Sequence, residues 1–334
     1  MWFCTPLRAR KGSVPSSGSA DREDRRVDLD VLFIGTGGSA PTAGRGLPAT
    51  LVRRGGDRLL FDCGEGTQRQ LLRSIGLTDL EEVFLTHFHA DHFLGLPGML
   101  KTFGLRGREA PLAVYGPPGL RALFDLLRPL IGTLPYAVAV EELEPNVPLE
   151  RDGYLVAPFS VAHRTRAYGY AIVEQDRPGR FDEERARALG VEPGPDFGRL
   201  QRGEAVGDVN PDDVLGEARP GRKLVLTGDT APADSTRAIA HGADLLIHEA
   251  TFLAEESERA RETGHTTARE AAELAAAAEV KLLALTHVSP RYGPKDLREE
   301  AREVFENTVV PRDFDSVEIP LPERGEPRLI KAQE

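Results

Sequence analysis

The sequence is sparing with cysteine: Cys4 and Cys63 are the two among its 334 residues. Cys4 lies in a polar N-terminal stretch, so a disulfide framework is not expected, and low thiol usage fits a reducing compartment. Long apolar runs are also missing, and none approaches the roughly 18 residues a membrane helix needs. Residues 1–26 mix charges of both signs without an apolar h-region, so they do not read as a secretory signal. A cytoplasmic protein without a membrane partner is therefore expected. Positive charge is in deficit as well: 42 Lys and Arg stand against 53 Asp and Glu, a net charge of −11. Phosphate contact wants a basic footprint, so this balance argues against a nucleic-acid binder unless basic residues cluster locally or bound cations supply the charge.

What is present supports a folded α/β protein. Residues 1–27 are rich in Ser, Gly, Arg and Asp with no hydrophobic period, and are expected to form a disordered tail. From residue 28 to 334 one catalytic domain is expected. Short β-rich runs at 31–34, 58–62, 82–86, 112–115, 136–140, 168–173, 223–226, 245–247 and 282–285 alternate with helical spacing at 67–75, 120–130, 268–278 and 295–305. Thr267 and Glu270 are spaced as a capping box, which makes His265 a loop residue just ahead of a helix. The stretch 176–221 breaks the alternation. It is rich in Gly, Pro and charge, and a loop that long inside a domain is functional or disordered.

Three of the eight histidines fall in one hexapeptide, His87-Phe-His89-Ala-Asp91-His92, directly after the strand at 82–86. Residues 87, 89 and 91 share a face in extended backbone, and His92 turns toward a neighbouring point. Imidazole and carboxylate together suit zinc. Four such ligands in six residues crowd a single tetrahedral ion but fit two ions, each completed from elsewhere. Further donors also follow apolar strands: His163, Asp229, His248 with Glu249, and His287. His241, in Ala-His-Gly, reads as a surface residue at a helix end.

The hexapeptide resembles the signature of the metallo-β-lactamase fold superfamily. That resemblance implies a four-layer αββα sandwich with a metal site at one edge of its two sheets. Asp62-Cys-Gly-Glu-Gly-Thr-Gln68, His248-Glu-Ala-Thr251, Gly264-His-Thr-Thr267 and Leu285-Thr-His-Val-Ser-Pro-Arg-Tyr292 resemble, more narrowly, the ribonuclease Z family. It implies two zinc ions per chain, one on His87, His89 and His163, the other on Asp91, His92 and His287, with Asp229 bridging both. It also implies precursor tRNA as substrate, a homodimer, and an inserted flexible arm that grips the tRNA. The stretch 176–221 stands in the arm's place and offers Arg177, Arg180, Arg185, Arg187, Arg199 and Arg202 as RNA contacts. The family's Pro-x-Lys-x-Arg-Asn loop is met here by Pro41 and Arg45, with Ala43 and Gly46 in place of the Lys and Asn.

The chemistry expected of this set is hydrolysis of a phosphodiester by water activated between two metal ions. Asp91 would accept or orient the water's proton, and His265 would protonate the leaving ribose 3′-oxygen. His248 and Glu249 would support the metal-binding histidines. Two other readings use the same residues: a small-molecule thioesterase or phosphodiesterase, which has no use for an Arg-bearing arm, and a metal-binding module without catalysis, which has no use for His265.

Overall fold

A computed structural model of the protein describes residues 28–77 and 80–333. The expected tail at 1–27 lies outside the described residues. Six strands open the chain: β1 (Leu29–Gly35), β2 (Ala49–Arg54), β3 (Asp57–Phe61), β4 (Glu82–Phe84), β5 (Leu112–Gly116) and β6 (Val138–Glu142). The next seven are β7 (Leu149–Arg151), β8 (Tyr154–Ser160), β9 (Tyr168–Glu174), β10 (Lys223–Leu226), β11 (Leu245–Glu249), β12 (Leu282–Thr286) and β13 (Thr308–Val309). The chain ends in β14 (Ser316–Glu318) and β15 (Arg328–Ile330). The first sheet has the order β15-β14-β1-β2-β3-β4-β5-β6, so the C-terminal strands return to it; the second runs β13-β12-β11-β10-β9-β8-β7. In each sheet one half is parallel (β3 to β6, and β10 to β13) and the other antiparallel.

Helices α1 (Thr67–Ser74), α2 (Ala90–Phe93), α3 (Gly95–Leu105) and α4 (Leu120–Ile131) belong with the first sheet. Between β9 and β10 stand α5 (Glu183–Ala188), α6 (Pro195–Gln201) and α7 (Pro211–Val214). The second sheet carries α8 (Asp234–Ala240), α9 (Ser257–Thr263), α10 (Ala268–Ala277) and α11 (Pro294–Arg302).

Three apolar layers show how these parts stack. Leu71, Leu96, Leu100 and Phe124 pack against Leu51, Leu60, Val83 and Val114, covering the outer face of the first sheet with helices. The inner faces meet through Phe33, Phe61, Phe84, Tyr170, Leu224 and Ile247. Ala268, Ala271, Ala272 and Ala275 lay the small-residue face of α10 on Val225, Leu246 and Leu283. Strand alternation supplies both faces of each sheet, since neighbouring residues such as Leu60 and Phe61 point to opposite layers. The result is the four-layer αββα sandwich. The capping box of α10 is in place: Glu270 N donates to Thr267 Oγ1 at 3.2 Å and Thr267 N to Glu270 Oε2 at 3.0 Å. Among the described residues, no helix is long and apolar enough to cross a membrane.

The two sheets are tied together at two places. At one, Arg222 and Arg54 both bind the buried Glu174, at 2.6 and 2.8 Å; removing one partner of such a pair costs about 3–5 kcal/mol. At the other, Tyr170 Oη donates to Leu85 O at 2.7 Å and Tyr168 N to Thr86 O at 2.9 Å. This second tie brings the edge of β9 against the residues that precede His87.

The segment 176–221 is built differently from the sequence expectation of a loop with little apolar period. Its three helices enclose a small cluster of their own, Ala186, Val191, Leu200, Val209 and Val214. Helices of four to seven residues are too short for a 3.6-residue period to be visible in sequence.

Candidate metal centre

The donors gather beyond the C-terminal ends of parallel strands, where an α/β sheet opens its crevice. His87, Asp229 and His287 follow β4, β10 and β12 within one to three residues, and Glu249 ends β11. His89, Asp91 and His92 lie at and within the short α2, and His163 follows β8. Two groups result: His87, His89, His163 and Asp229 in one, Asp91, His92 and His287 in the other. Within each, one ligand atom per residue lies within 4.8 Å of all the rest. The Asp229 carboxylate stands between them. Its Oδ2 is 3.8 Å from His87 Nε2, and its Oδ1 is 3.2 Å from His92 Nε2 and 3.4 Å from His287 Nε2. Asp91 Oδ2 is 3.3 Å from His287 Nε2 and 3.7 Å from His92 Nε2.

Four of the five clustered rings are aimed by a partner on Nδ1, while His89 turns its own Nδ1 toward His87 Nε2, 2.8 Å away. His92 Nδ1 meets Asp62 Oδ2 at 2.7 Å, His87 Nδ1 meets Thr86 Oγ1 at 3.0 Å, His163 Nδ1 meets Gly264 O at 2.9 Å, and His287 Nδ1 meets Thr251 Oγ1 at 2.8 Å. These bonds occupy Nδ1 and leave Nε2 facing the cluster, the usual arrangement of metal-ligating histidines. Asp62 is itself fixed by Thr86 N at 2.8 Å and has left-handed backbone, φ 59°. His287 is also left-handed, φ 55°, a strained conformation that concentrates at functional sites. Asp62 and Thr251 are orienting groups that no motif in the sequence singles out for that role, although Asp62 follows an apolar strand just as the other donors do.

Whether a cation fits follows from the atoms. His92 Nε2 and Asp229 Oδ1 are buried, and although 3.2 Å apart they make no well-aligned hydrogen bond to each other or to any other described residue. Such orphaned atoms are costly unless something completes their bonding. Burial, with the neighbouring His92, pushes His87 down to about 2, so its ring is neutral. Burial works against ionised Asp229, but the surrounding His287 and His92 outweigh it and hold the carboxyl well below its usual range. His92 goes the other way: burial disfavours its charge, but Asp229 and Asp62 outweigh burial and push it well above its usual value, so a divalent cation, which requires neutral imidazoles and ionised carboxylates, would displace that ring's proton.

His265 sits at the rim. Its Nδ1 is 2.7 Å from Glu249 Oε1, and its ring stacks on His287 at 5.4 Å. Burial disfavours its charged form, yet the hydrogen bond and charge of Glu249 prevail, with help from Asp229, and push it up to about 9. Glu249 is held in turn by Thr230 N at 2.8 Å, Thr251 Oγ1 at 2.6 Å and Thr266 N at 3.2 Å. Asp229, His265 and His287 also form a possible ligand trio, but Nδ1 of His265 is already committed to Glu249.

His248, expected to support the clustered histidines, is absent from both groups. Strand alternation turns it away from Glu249, its neighbour, and Nδ1 rests on Glu249 O at 2.8 Å. The six arginines do not form a basic surface together. Arg177 makes two 2.7 Å bonds to Glu323. Arg187 pairs with Glu183, Arg199 with Asp196 and Glu204, and Arg202 with Glu204. Arg180 and Arg185 line an open cleft shared with Asp212 and Asp213. The stretch 176–221 holds seven arginines against eleven acidic residues, a net of −4.

Gly38 presses on the site from the loop after β1. A Cβ there would lie 2.3 Å from His287 Nδ1. Gly38→Ala is therefore expected to displace the ring and weaken metal binding by about 10–100-fold, the usual cost of disturbing a ligand's support. Metal titration of the variant checks this; an unchanged affinity would mean that the ring tolerates the shift.

The profile of the metallo-beta-lactamase superfamily matches residues 44–287. A ribonuclease Z of Haloferax volcanii is 49% identical over 304 residues, covering 88% of this chain and 96% of the relative. One of Myxococcus xanthus is 47% identical over 303 residues, covering 88% and 98%. Among solved structures, the short form of human tRNase Z superposes with a TM-score of 0.64 at 29% identity, covering 88% of this chain and 99% of the other.

Proposed function

Because the chain belongs to the ribonuclease Z family of the metallo-beta-lactamase superfamily, and so is a metal-dependent endoribonuclease, we propose that it removes the 3′ trailer from precursor tRNA. The tRNA would keep a 3′-OH and the trailer a 5′-phosphate. One observation carries the site assignment: a single carboxylate, Asp229, offers one oxygen to each of two nitrogen groups. We assign one ion to His87, His89 and His163, the other to Asp91, His92 and His287, with Asp229 shared. The imidazole-rich donor set favours zinc. When bound, the two cations supply Lewis acidity, activating water and offsetting charge on the phosphoryl oxygens.

The chain's own groups do the rest. Asp91 Oδ2, held by Ser39 N at 2.9 Å, takes the proton of the attacking water. As the new P–O bond forms, the bond to the ribose 3′-oxygen breaks. His265, protonated and held at Nδ1 by Glu249, gives its Nε2 proton to that oxygen. The reading includes a homodimer in the cytoplasm, with the module at 176–221 of one subunit touching RNA cut by the other. Since most of that module's arginines have acidic partners, the phosphate charge would be met chiefly at the metal centre.

The test is incubation of the purified protein with labelled pre-tRNA, with and without a zinc chelator, followed by mapping of the cut end. Chelator-sensitive cleavage at the 3′ side of the acceptor stem is expected. A protein shown to hold two metals yet leaving pre-tRNA intact would overturn the reading in favour of a small-molecule ester or thioester.

A further inference from the structure

We infer that Asp313, on the segment between β13 and β14, is a positioning residue that sets the loop 36–46 against the metal centre; this rests on the reading of that centre as hydrolytic. One carboxylate takes four donors. Oδ1 accepts from Thr36 N at 3.0 Å and Thr36 Oγ1 at 2.7 Å, and Oδ2 accepts from Gly46 N at 2.6 Å and Gln70 Nε2 at 2.7 Å. Thr36 and Gly46 are the two ends of the loop, so Asp313 closes its neck, helped by Gly37 N donating to Gly46 O at 2.9 Å. Gln70 ties the same carboxylate to α1.

The loop's far side touches the centre twice. The Ser39 amide donates to Asp91 Oδ2 at 2.9 Å, which requires Ser39 to adopt left-handed backbone, φ 63°. Gly38 lies against the His287 ring, and its amide donates to Val288 O at 3.2 Å. Across Ser39 itself, Ala40 N donates to Gly38 O at 2.7 Å, a tight turn, and residues 39–44 are exposed. The turn shapes Ser39, and the neck sets where that turn stands against the centre.

Arg45 acts in the same structure. Its Nη1 donates to Pro311 O at 2.9 Å and to Thr36 Oγ1. The guanidinium is thus turned inward as a strut between the neck and the Asp313 segment, leaving the exposed tip to meet substrate. Neutral Asn in place of Asp313 offers one acceptor oxygen and one donating amide. Either the Thr36 pair or the Gly46–Gln70 pair would then face a donor.

The experiment compares wild type, Asp313→Asn and Thr36→Val as metal-saturated full-length proteins. Three quantities are read: kcat and KM on pre-tRNA, hydrolysis of bis(p-nitrophenyl) phosphate, and amide exchange across 36–46. A 1 Å misplacement costs on the order of 10²-fold, so Asp313→Asn is expected to lower kcat by about 10–100-fold on both substrates. KM should hold, and faster exchange should be confined to 36–46. Thr36→Val, which deletes one donor and keeps the carboxylate, should shift kcat in the same direction by less. Full kcat in both variants would overturn the proposal, as would exchange rising equally through β1 and β14, which marks a general loss of stability. If wild type hydrolyses the small phosphodiester but not pre-tRNA, the substrate assignment falls, while the small substrate and the exchange still decide the role of Asp313.

Discussion

Asp229→Ala is expected to bring pre-tRNA cleavage to background and to strip metal from both nitrogen groups at once. The residue is 2% exposed and ends a turn in which Gly228 has φ 61°, so the carboxylate is delivered to one fixed place between the groups. Without it, the nitrogens of His92 and His287 would have to hold a dication with Asp91 as the one remaining carboxylate, and His87, His89 and His163 with none. Each group would lose one ligand and the negative charge that offsets its dication, so both would weaken together. His87→Ala is the contrasting case, since it removes a ligand from one group and leaves the other complete. Metal analysis after dialysis checks both variants. An Asp229→Ala protein that retains two equivalents, with His87→Ala losing both, would reverse the assignment of the shared ligand.

His265→Ala is expected to lower turnover by about 10²–10⁴-fold, the usual contribution of a positioned general acid, with metal content unchanged. Loss of metal along with activity would make His265 a ligand instead. The pH dependence offers a second readout. The residue's pKa is raised, so the protonated, donating form is present below it and is lost as pH rises through it. In the metal-free protein that passage lies near about 9. Cations bound beside it repel the imidazolium, so the alkaline limb of the wild-type rate profile should fall at lower pH than that. The limb should vanish in the alanine variant, and a limb that persists there would belong to another group.

The parts of this protein legible in sequence are those with a strong local signal. The helix at α10 was visible because Thr267 and Glu270 cap an alanine-rich run, and the structure begins it at Ala268. The clustered donors were visible because ionisable side chains repeatedly follow apolar strands, and the structure brings them together. Less was readable where the information is non-local or short. Strand β2 has one inward and one outward apolar face, and its pairing with β1 and β3 shows only in three dimensions. The hairpin of β7 and β8 turns at Asp152 and Gly153 between strands of unequal length. His248 and Glu249 looked alike as neighbours at a strand end, yet alternation sends one toward the site and the other behind it. Asp313 was invisible because its partners Thr36 and Gly46 are 277 and 267 positions away.

The module at 176–221 has a consequence of its own. It leaves the second sheet and returns to it through one doorway, where Arg177 and Arg219 exchange two backbone hydrogen bonds of 2.8 Å and both guanidiniums meet Glu323. A segment whose ends are neighbours and whose apolar side chains are satisfied internally makes few demands on its host. A short turn from β9 to β10 would close the sheet in its absence, and lengthening such an insertion costs little in loop entropy. In evolutionary terms the module is a cassette. Its length could change without redrawing the catalytic edge, and the doorway marks where such a change would be spliced.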